Sequence, residues 1–440
     1  MRTGQKELIR QATVVKRPRL ARLATTWFFL VGSSSCAANS GQPSLDRPTS
    51  TVVPNVVLGA EVRTASTTSP TASPTPTAAS TSTVKLSATT ATEQTVPKSV
   101  APAVDPLKRC IDGLDVRTMA ALVTWPGAYG GQLQQTLDEV KRLGLGGIIL
   151  MTAPQQGEAV TLHDIRDNSR FGLRVAVDEE GGKVQRLKGY GVLPAASVAA
   201  KTMSPAQVEE MVTVHAAKLA KIGIDVVLGP VVDVAPVDGL GPLGDRVMSS
   251  DPQKVADIAS AYVRGWQSSN ILPVLKHFPG HGTATADTHH AFSSTPDMES
   301  LMARDFVPYQ QLANSGAAVM IGHLTIPGYS KDSTRPASLD RRVVVDLLQD
   351  RLGVRPALVI SDALEMQAIA ANWSISAAAV QSLAAGVDIV IFSGASGAER
   401  VIAEIVSAVA DGRLLESRLR EAVERYATTN TAQFLAHCPA

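Results

Sequence analysis

Ile271-Leu272-Pro273-Val274-Leu275 runs directly into Lys276-His277-Phe278-Pro279-Gly280-His281-Gly282, and then into Thr283-Ala284-Thr285-Ala286-Asp287-Thr288-His289. A short, continuous apolar run reads as a buried strand of a parallel sheet. When such a strand ends in titratable side chains and glycines, it reads as one wall of a functional site. Asp287 and His289, separated by one residue, have the makings of an acid/base pair.

The same pattern recurs. Ala120-Ala121-Leu122-Val123, Gly147-Ile148-Ile149-Leu150-Met151, Leu173-Arg174-Val175-Ala176-Val177, Val226-Val227-Leu228, Ala318-Val319-Met320-Ile321, Leu358-Val359-Ile360 and Ile389-Val390-Ile391-Phe392 bring the set of predicted strands to eight. Helical stretches lie between them. Ser204-Pro205-Ala206-Gln207 resembles a capping box with proline at the first helical position. Met211, His215, Leu219 and Ile222 follow at helical spacing, and Gly223 closes the stretch. Asp251-Pro252 opens a second helix, with Val255, Ile258, Tyr262 and Trp266 on one face, and Asp297 to Gly316 repeats the scheme. Eight β/α units predict an α/β fold, a TIM-like (β/α)8 barrel, with a doubly wound open sheet as the alternative. Both folds put function at the carboxyl ends of the strands.

Polar residues fall at those ends. Asp178-Glu179-Glu180-Gly181-Gly182 leads to Arg186, Asp233 follows Val226-Val227-Leu228, His323 follows Ile321, and Ser361-Asp362-Ala363 follows Ile360. Asp362 has two readings, a nucleophile toward an electrophilic carbon or the cap of the next helix. Asp178 and Arg186 fit either a structural ion pair or a pair that orients a polyol. His277 taken singly reads as a core histidine. His277, His281, His289 and His290 raise the question of zinc, but their spacing lacks the helical zinc-protease pattern, and Gly280 and Gly282 indicate a loop. No metal and no cofactor is expected. No glycine-rich turn carries the Lys-Ser/Thr of a phosphate-binding loop.

The chain has 440 residues, a net charge of +1, 45% hydrophobic and 4% aromatic residues. Near-neutral charge gives no reason to expect nucleic acid as a partner. Residues 1–36 read as an export signal. Lys16, Arg17, Arg19 and Arg22 precede an apolar Leu23–Gly32 stretch too short to remain as a membrane span. Ser33-Ser34-Ser35-Cys36 resembles a bacterial lipobox, in which Cys36 takes a lipid, although Ser33 stands where Leu or Val is usual. A plain secretory signal is the alternative. Residues 37–106, dense in Ser, Thr, Pro and Ala, read as a disordered N-terminal tether ahead of a single domain at 107–440. Export permits a disulfide, and the ends of a compact domain often lie close together. A Cys110–Cys438 bridge is therefore expected, with two free thiols as the alternative.

Taken together, the Lys276–Gly282 and Asp287–His289 motifs resemble those of family-3 glycoside hydrolases, in the bacterial β-N-acetylglucosaminidase (β-hexosaminidase) branch. Asp178-Glu179-Glu180-Gly181-Gly182 through Arg186, Gly244-Asp245-Arg246 and Ser361-Asp362-Ala363 match in the same order, so the resemblance spans about Leu107 to Ala427. It implies that Asp362 is the nucleophile of a retaining hydrolase and His289 its acid/base, oriented by Asp287. It implies that Asp178, Arg186, Arg246, Lys276 and His277 hold the sugar, and that Gly280 and Gly282 let a mobile loop carry His289. The implied partner is a glycan, terminal β-linked N-acetylglucosamine from peptidoglycan fragments, acted on by a monomer anchored to the outer face of the membrane. A phosphorylase and a non-catalytic envelope-binding lipoprotein are the alternatives.

Overall fold

The computed structural model describes residues 105–330, 332 and 334–438. The export segment, Cys36 and the expected tether up to residue 104 lie outside them. Asp105 and Pro106, drawn with the tether from sequence, belong to the folded part. Pro106–Asp112 is a helix, and the Asp105 carboxylate caps it by accepting the Leu107 N–H at 2.9 Å.

Eight strands close into a barrel: β1 Thr124–Ala128, β2 Gly147–Leu150, β3 Arg174–Val177, β4 Val226–Val227, β5 Leu272–Phe278, β6 Ala318–Ile321, β7 Val359–Ala363 and β8 Ile389–Phe392. All neighbours are parallel and follow chain order, with β8 returning to pair with β1 through Ile391 and Trp125. Both faces of these strands are covered, by the barrel interior and by the helical ring. That is why the strands read as unbroken apolar runs rather than as alternating ones.

The first strand departs from expectation. Ala120-Ala121-Leu122 ends a helix, Val116–Leu122, and the strand begins only at Thr124. Asp115 caps this helix by accepting the Thr118 N–H at 2.6 Å. Thr124 Oγ1 and Trp125 Nε1 then donate to the carbonyls of Ala120 and Leu122 and finish it. An alanine-rich apolar run favours helix, and a run of four cannot be assigned by periodicity alone.

The capping box at Ser204 and Gln207 opens the helix Pro205–Ala220, and Asp251 caps Pro252–Gln267 by accepting from the Gln253 and Lys254 N–H groups. The stretch from Asp297 to Gly316 is not one helix but two short ones, Met298–Ala303 and Phe306–Gln311. The break falls at Arg304, with φ −134°. Pro308 lies four residues on. It offers no N–H to the Arg304 carbonyl, and its ring would collide with that carbonyl in a continuous helix.

A disulfide joins Cys110 of the first helix to Cys438 at the other end of the domain, with Cα atoms 5.7 Å apart. No helix among the described residues is long and apolar enough to cross a membrane.

Two barrel strands carry register shifts near their carboxyl ends, β5 between Leu275 and Phe278 and β7 between Ile360 and Ala363. Such irregularities re-aim side chains. Here they fall where Lys276-His277 and Ser361-Asp362 stand.

Candidate active site

A cavity of about 570 Å³ opens at the carboxyl ends of the strands, lined by Asp178, Arg186, Arg246, Lys276, His277, His289 and Asp362. Seven of the eight residues expected at a catalytic or sugar-binding position thus line one cavity. The eighth, Asp287, lies behind His289. Lys276 and His277 are part of strand β5 itself rather than of the loop that follows it. Met151, Met320, Met366 and Phe392 supply an apolar portion of the lining.

The segment after β3 alternates like a strand. Asp178 and Glu180 line the cavity, while Glu179 between them is buried against scaffold partners. Glu179 accepts from Gln185 Nε2 at 2.8 Å and lies 2.9 Å from His215 Nε2, and its second oxygen receives the Arg186 and Leu187 N–H groups. The turn that presents Arg186 is thereby held from behind.

Glu180 is the hub of the charged wall. It takes a two-pronged contact from Arg246, at 2.8 and 2.9 Å, and stands 2.6 Å from Lys276 Nζ. Lys276 also donates to Asp178 at 2.9 Å, and Arg186 approaches the other Asp178 oxygen at 3.3 Å. Burial would push the Asp178 carboxyl up, but the Lys276 ammonium and the Arg186 and Arg246 guanidinium groups outweigh it and hold the carboxyl at about 2. Burial likewise opposes charge on Lys276, and Asp178 and Glu180 overcome it, so its pKa rises. The wall is a set of paired charges whose remaining lone pairs and N–H groups are suited to hydroxyl ligands.

Behind His277 lies Asp233, whose side chain is fully buried. It stands 2.8 Å from His277 Nδ1 and accepts the backbone N–H groups of His277 at 3.1 Å and His281 at 2.6 Å. This directs His277 Nε2 away from Asp233, to a point 3.4 Å from Arg246. His281 points elsewhere, with Nε2 3.2 Å from the Ala286 carbonyl, where it braces the loop.

Asp362 is 9% exposed and accepts its neighbour's Ala363 N–H at 2.8 Å. Burial would raise its pKa. His277, His323 and the Ala363 N–H hold it below the ordinary carboxylate value. The group is an ionised carboxylate in a site of restricted solvent. His323 is fully buried, 3.0 Å from the Ala363 carbonyl through Nε2 and 2.7 Å from Ser338 Oγ through Nδ1.

The loop after β5 carries Asp287 and His289. Asp287 Oδ1 receives the His289 backbone N–H at 2.9 Å and lies 2.8 Å from ring Nδ1. One carboxylate oxygen therefore sets both the turn and the ring, leaving Nε2 for proton exchange. Burial acts to raise the Asp287 pKa, and these contacts with His289 more than reverse it.

The glycines of this loop stand where a side chain would not fit. An added Cβ at Gly280 would come within 2.7 Å of Asp305 Oδ1, and one at Gly282 within 2.2 Å of the Val234 carbonyl. They allow close approach, so the base of the loop is packed down. Among the described residues no group of three or more His, Cys, Asp or Glu side chains is arranged to hold a metal ion.

Two residues at the site, Glu180 and Asp233, were placed at strand ends by the sequence but given no role there. Period-two alternation after Asp178 was the available signal for Glu180. A lone carboxylate inside the apolar stretch Val231-Val232-Asp233-Val234-Ala235 was the signal for Asp233. Tyr129, Glu365 and Ser393, also in the lining, gave no local signal.

These groups suit a polyol held beside a nucleophilic carboxylate, which is the work of a glycoside hydrolase. The chain belongs to glycoside hydrolase family 3: the profile described as "Glycosyl hydrolase family 3 N terminal domain" matches residues 119–429. It is 37% identical over 264 residues to "Beta-hexosaminidase LpqI" of Mycobacterium tuberculosis, covering 58% of this chain and 67% of that one. The solved structure titled "M tuberculosis LpqI" superposes with a TM-score of 0.69 at 32% identity, over 74% of this chain and 96% of that one. A family-3 β-N-acetylglucosaminidase from Paenibacillus sp. superposes with a TM-score of 0.64 at 26% identity, over 74% of this chain and 64% of that one.

Proposed function

We propose that this glycoside hydrolase is a β-hexosaminidase that releases terminal β-linked N-acetylglucosamine with retention of configuration. The observation that carries the reading is that Asp362, from β7, and His289, from the loop after β5, line one cavity together with the paired charges of Asp178, Glu180, Arg186, Arg246 and Lys276. The names of the similar proteins support the substrate class.

In the first step an Asp362 oxygen bonds to the anomeric carbon as the bond from that carbon to the leaving oxygen breaks. Protonated His289 gives its Nε2 proton to that oxygen. In the second step neutral His289 takes a proton from water, the water oxygen bonds to the anomeric carbon, and the ester to Asp362 breaks. An imidazole both gives and takes a proton, which suits it to both steps. Asp287 holds the ring through Nδ1 and leaves Nε2 to make both transfers.

Export directs the reading of the natural substrate to GlcNAc-containing muropeptides, with the enzyme held at the outer face of the membrane by a lipid on Cys36. Phosphorolysis is the second reading, because a histidine acid/base, unlike a carboxylate, does not repel an incoming phosphate. Product analysis on a cell-wall disaccharide with phosphate varied tests both. Free N-acetylglucosamine independent of phosphate is expected. Glycosyl phosphate as main product would replace hydrolysis, and no cleavage of the disaccharide or of an aryl β-N-acetylglucosaminide would end both.

A further inference from the structure

Thr288 sits between Asp287 and His289, whose side chains are 31% and 52% exposed, yet Thr288 is itself 0% exposed. A fully buried residue at the tip of an otherwise exposed turn is a point of attachment. Its carbonyl accepts the Ala368 N–H at 3.3 Å. Ala368 lies in the short helix Gln367–Ala370, six residues beyond Asp362. First-turn N–H groups of a helix have no partner within it, so the loop tip supplies one that the helix cannot.

The rest of the loop is fastened independently. Its two arms are joined by Thr285 N–H to the Ser294 carbonyl at 3.0 Å and by Ala286 N–H to Ser293 Oγ at 2.9 Å. The returning arm, Ser293–Ser294, pairs in parallel with Leu324–Thr325. These contacts hold the stem and leave the tip, with His289, to the Thr288 contact.

We propose that Thr288 is a positioning residue, a buried peg that docks the loop tip onto the segment following Asp362 and so sets His289 over the nucleophile. The inference rests on the acid/base role given to His289. The peg is held by enclosure and by one backbone hydrogen bond. Its hydroxyl contributes nothing favourable, because Thr288 Oγ1 is buried with no hydrogen-bond partner among the described residues. A buried, unpaired hydroxyl opposes docking. The docked tip is thus held in place without being locked, as a loop that must admit substrate and release product requires.

Two substitutions separate the peg from its hydroxyl. Thr288→Val keeps the shape and removes the unpaired oxygen. Thr288→Ala removes the peg's branches and leaves the backbone dihedrals undisturbed. Amide hydrogen exchange at Ala368 reads docking directly, and kcat/KM on a disaccharide against an activated aryl β-N-acetylglucosaminide reads proton donation by His289. Expected for Thr288→Ala is about five-fold faster Ala368 exchange, in line with loss of a few buried atoms. About a five-fold loss on the disaccharide should accompany it, with the aryl glycoside nearly unaffected. Thr288→Val should restore the disaccharide rate and slow Ala368 exchange below that of the wild type. Unchanged Ala368 exchange in both variants overturns the proposal, as does an equal loss on the two substrates in Thr288→Ala. If the wild type cleaves neither substrate, the catalytic reading fails instead, and the exchange data still decide whether Thr288 docks the loop.

Discussion

His277 Nδ1 stands 2.8 Å from Asp233 Oδ2, and neither side chain is more than 5% exposed. Asp233 thereby joins the segment after β4 to strand β5, and it fixes which ring nitrogen His277 turns toward the cavity. Two backbone N–H groups are also directed at it, so both Asp233 oxygens are engaged. Burial acts to raise its pKa, and His277 and His281 pull it below the ordinary value.

Asp233→Asn replaces one acceptor oxygen by an NH2 group that faces N–H donors. Loss of a buried, hydrogen-bonded charge of this kind costs about 3 kcal/mol. A clear drop in melting temperature is expected, together with a raised KM as His277 loses its orientation. An unaltered melting curve would show that the network contributes nothing.

With Asp362 as the proposed nucleophile, Asp362→Asn should reduce turnover by about a thousand-fold or more while the melting temperature stays close to the wild type. His289→Ala should cost about a hundred-fold on substrates with poor leaving groups and much less on activated aryl glycosides. Equal losses on the two classes would remove His289 from the acid role. A smaller loss with the same leaving-group dependence is expected for Asp287→Asn.

The charged wall predicts acid sensitivity with a definite sign. Burial tends to raise the Asp178 pKa, but Lys276, Arg186 and Arg246 bring it from 3.8 down to about 2. A depressed carboxylate pKa adds stability that is complete above the unfolded value and is lost as pH falls through the folded one. The window therefore runs from about pH 4 down to about pH 2, and the amount is on the order of 2 kcal/mol. Denaturation midpoints taken across this range should fall more steeply for the wild type than for Asp178→Asn, and the two slopes should agree below pH 2.

The Cys110–Cys438 disulfide closes a loop of 328 residues. Its removal relaxes the unfolded chain and should destabilise the domain by about 2–5 kcal/mol. Cys110→Ser with Cys438→Ser should melt several degrees lower than the wild type under non-reducing conditions. The wild type treated with reductant should approach the double variant.

Much of this protein is legible without its fold because the relevant signals are local. Apolar runs mark seven of the eight barrel strands, and the caps at Ser204 and Asp251 mark helix starts within a residue. The polar groups Asp178, Lys276, His277 and Asp362 announce the site because each stands in or just past an apolar run. Local signals fail where two structures satisfy the same pattern. Ala120-Ala121-Leu122-Val123 is apolar enough for a strand, but Asp115 and Thr124 delimit a helix. Pro308 divides a stretch whose apolar spacing is continuous.

Chain order, hydrophobic period and capping chemistry thus determined the barrel and named the groups at its mouth, since each depends on neighbours a few residues away. Which groups meet was decided only by closure of the barrel and by the irregular registers of β5 and β7. Those bring Glu180 within 2.6 Å of Lys276, set Asp233 behind His277, and pack Gly280 against Asp305. The docking of Thr288 near Ala368, eighty residues away in sequence, belongs to the same class. Contacts between segments so far apart follow from three-dimensional packing, and no local pattern records them.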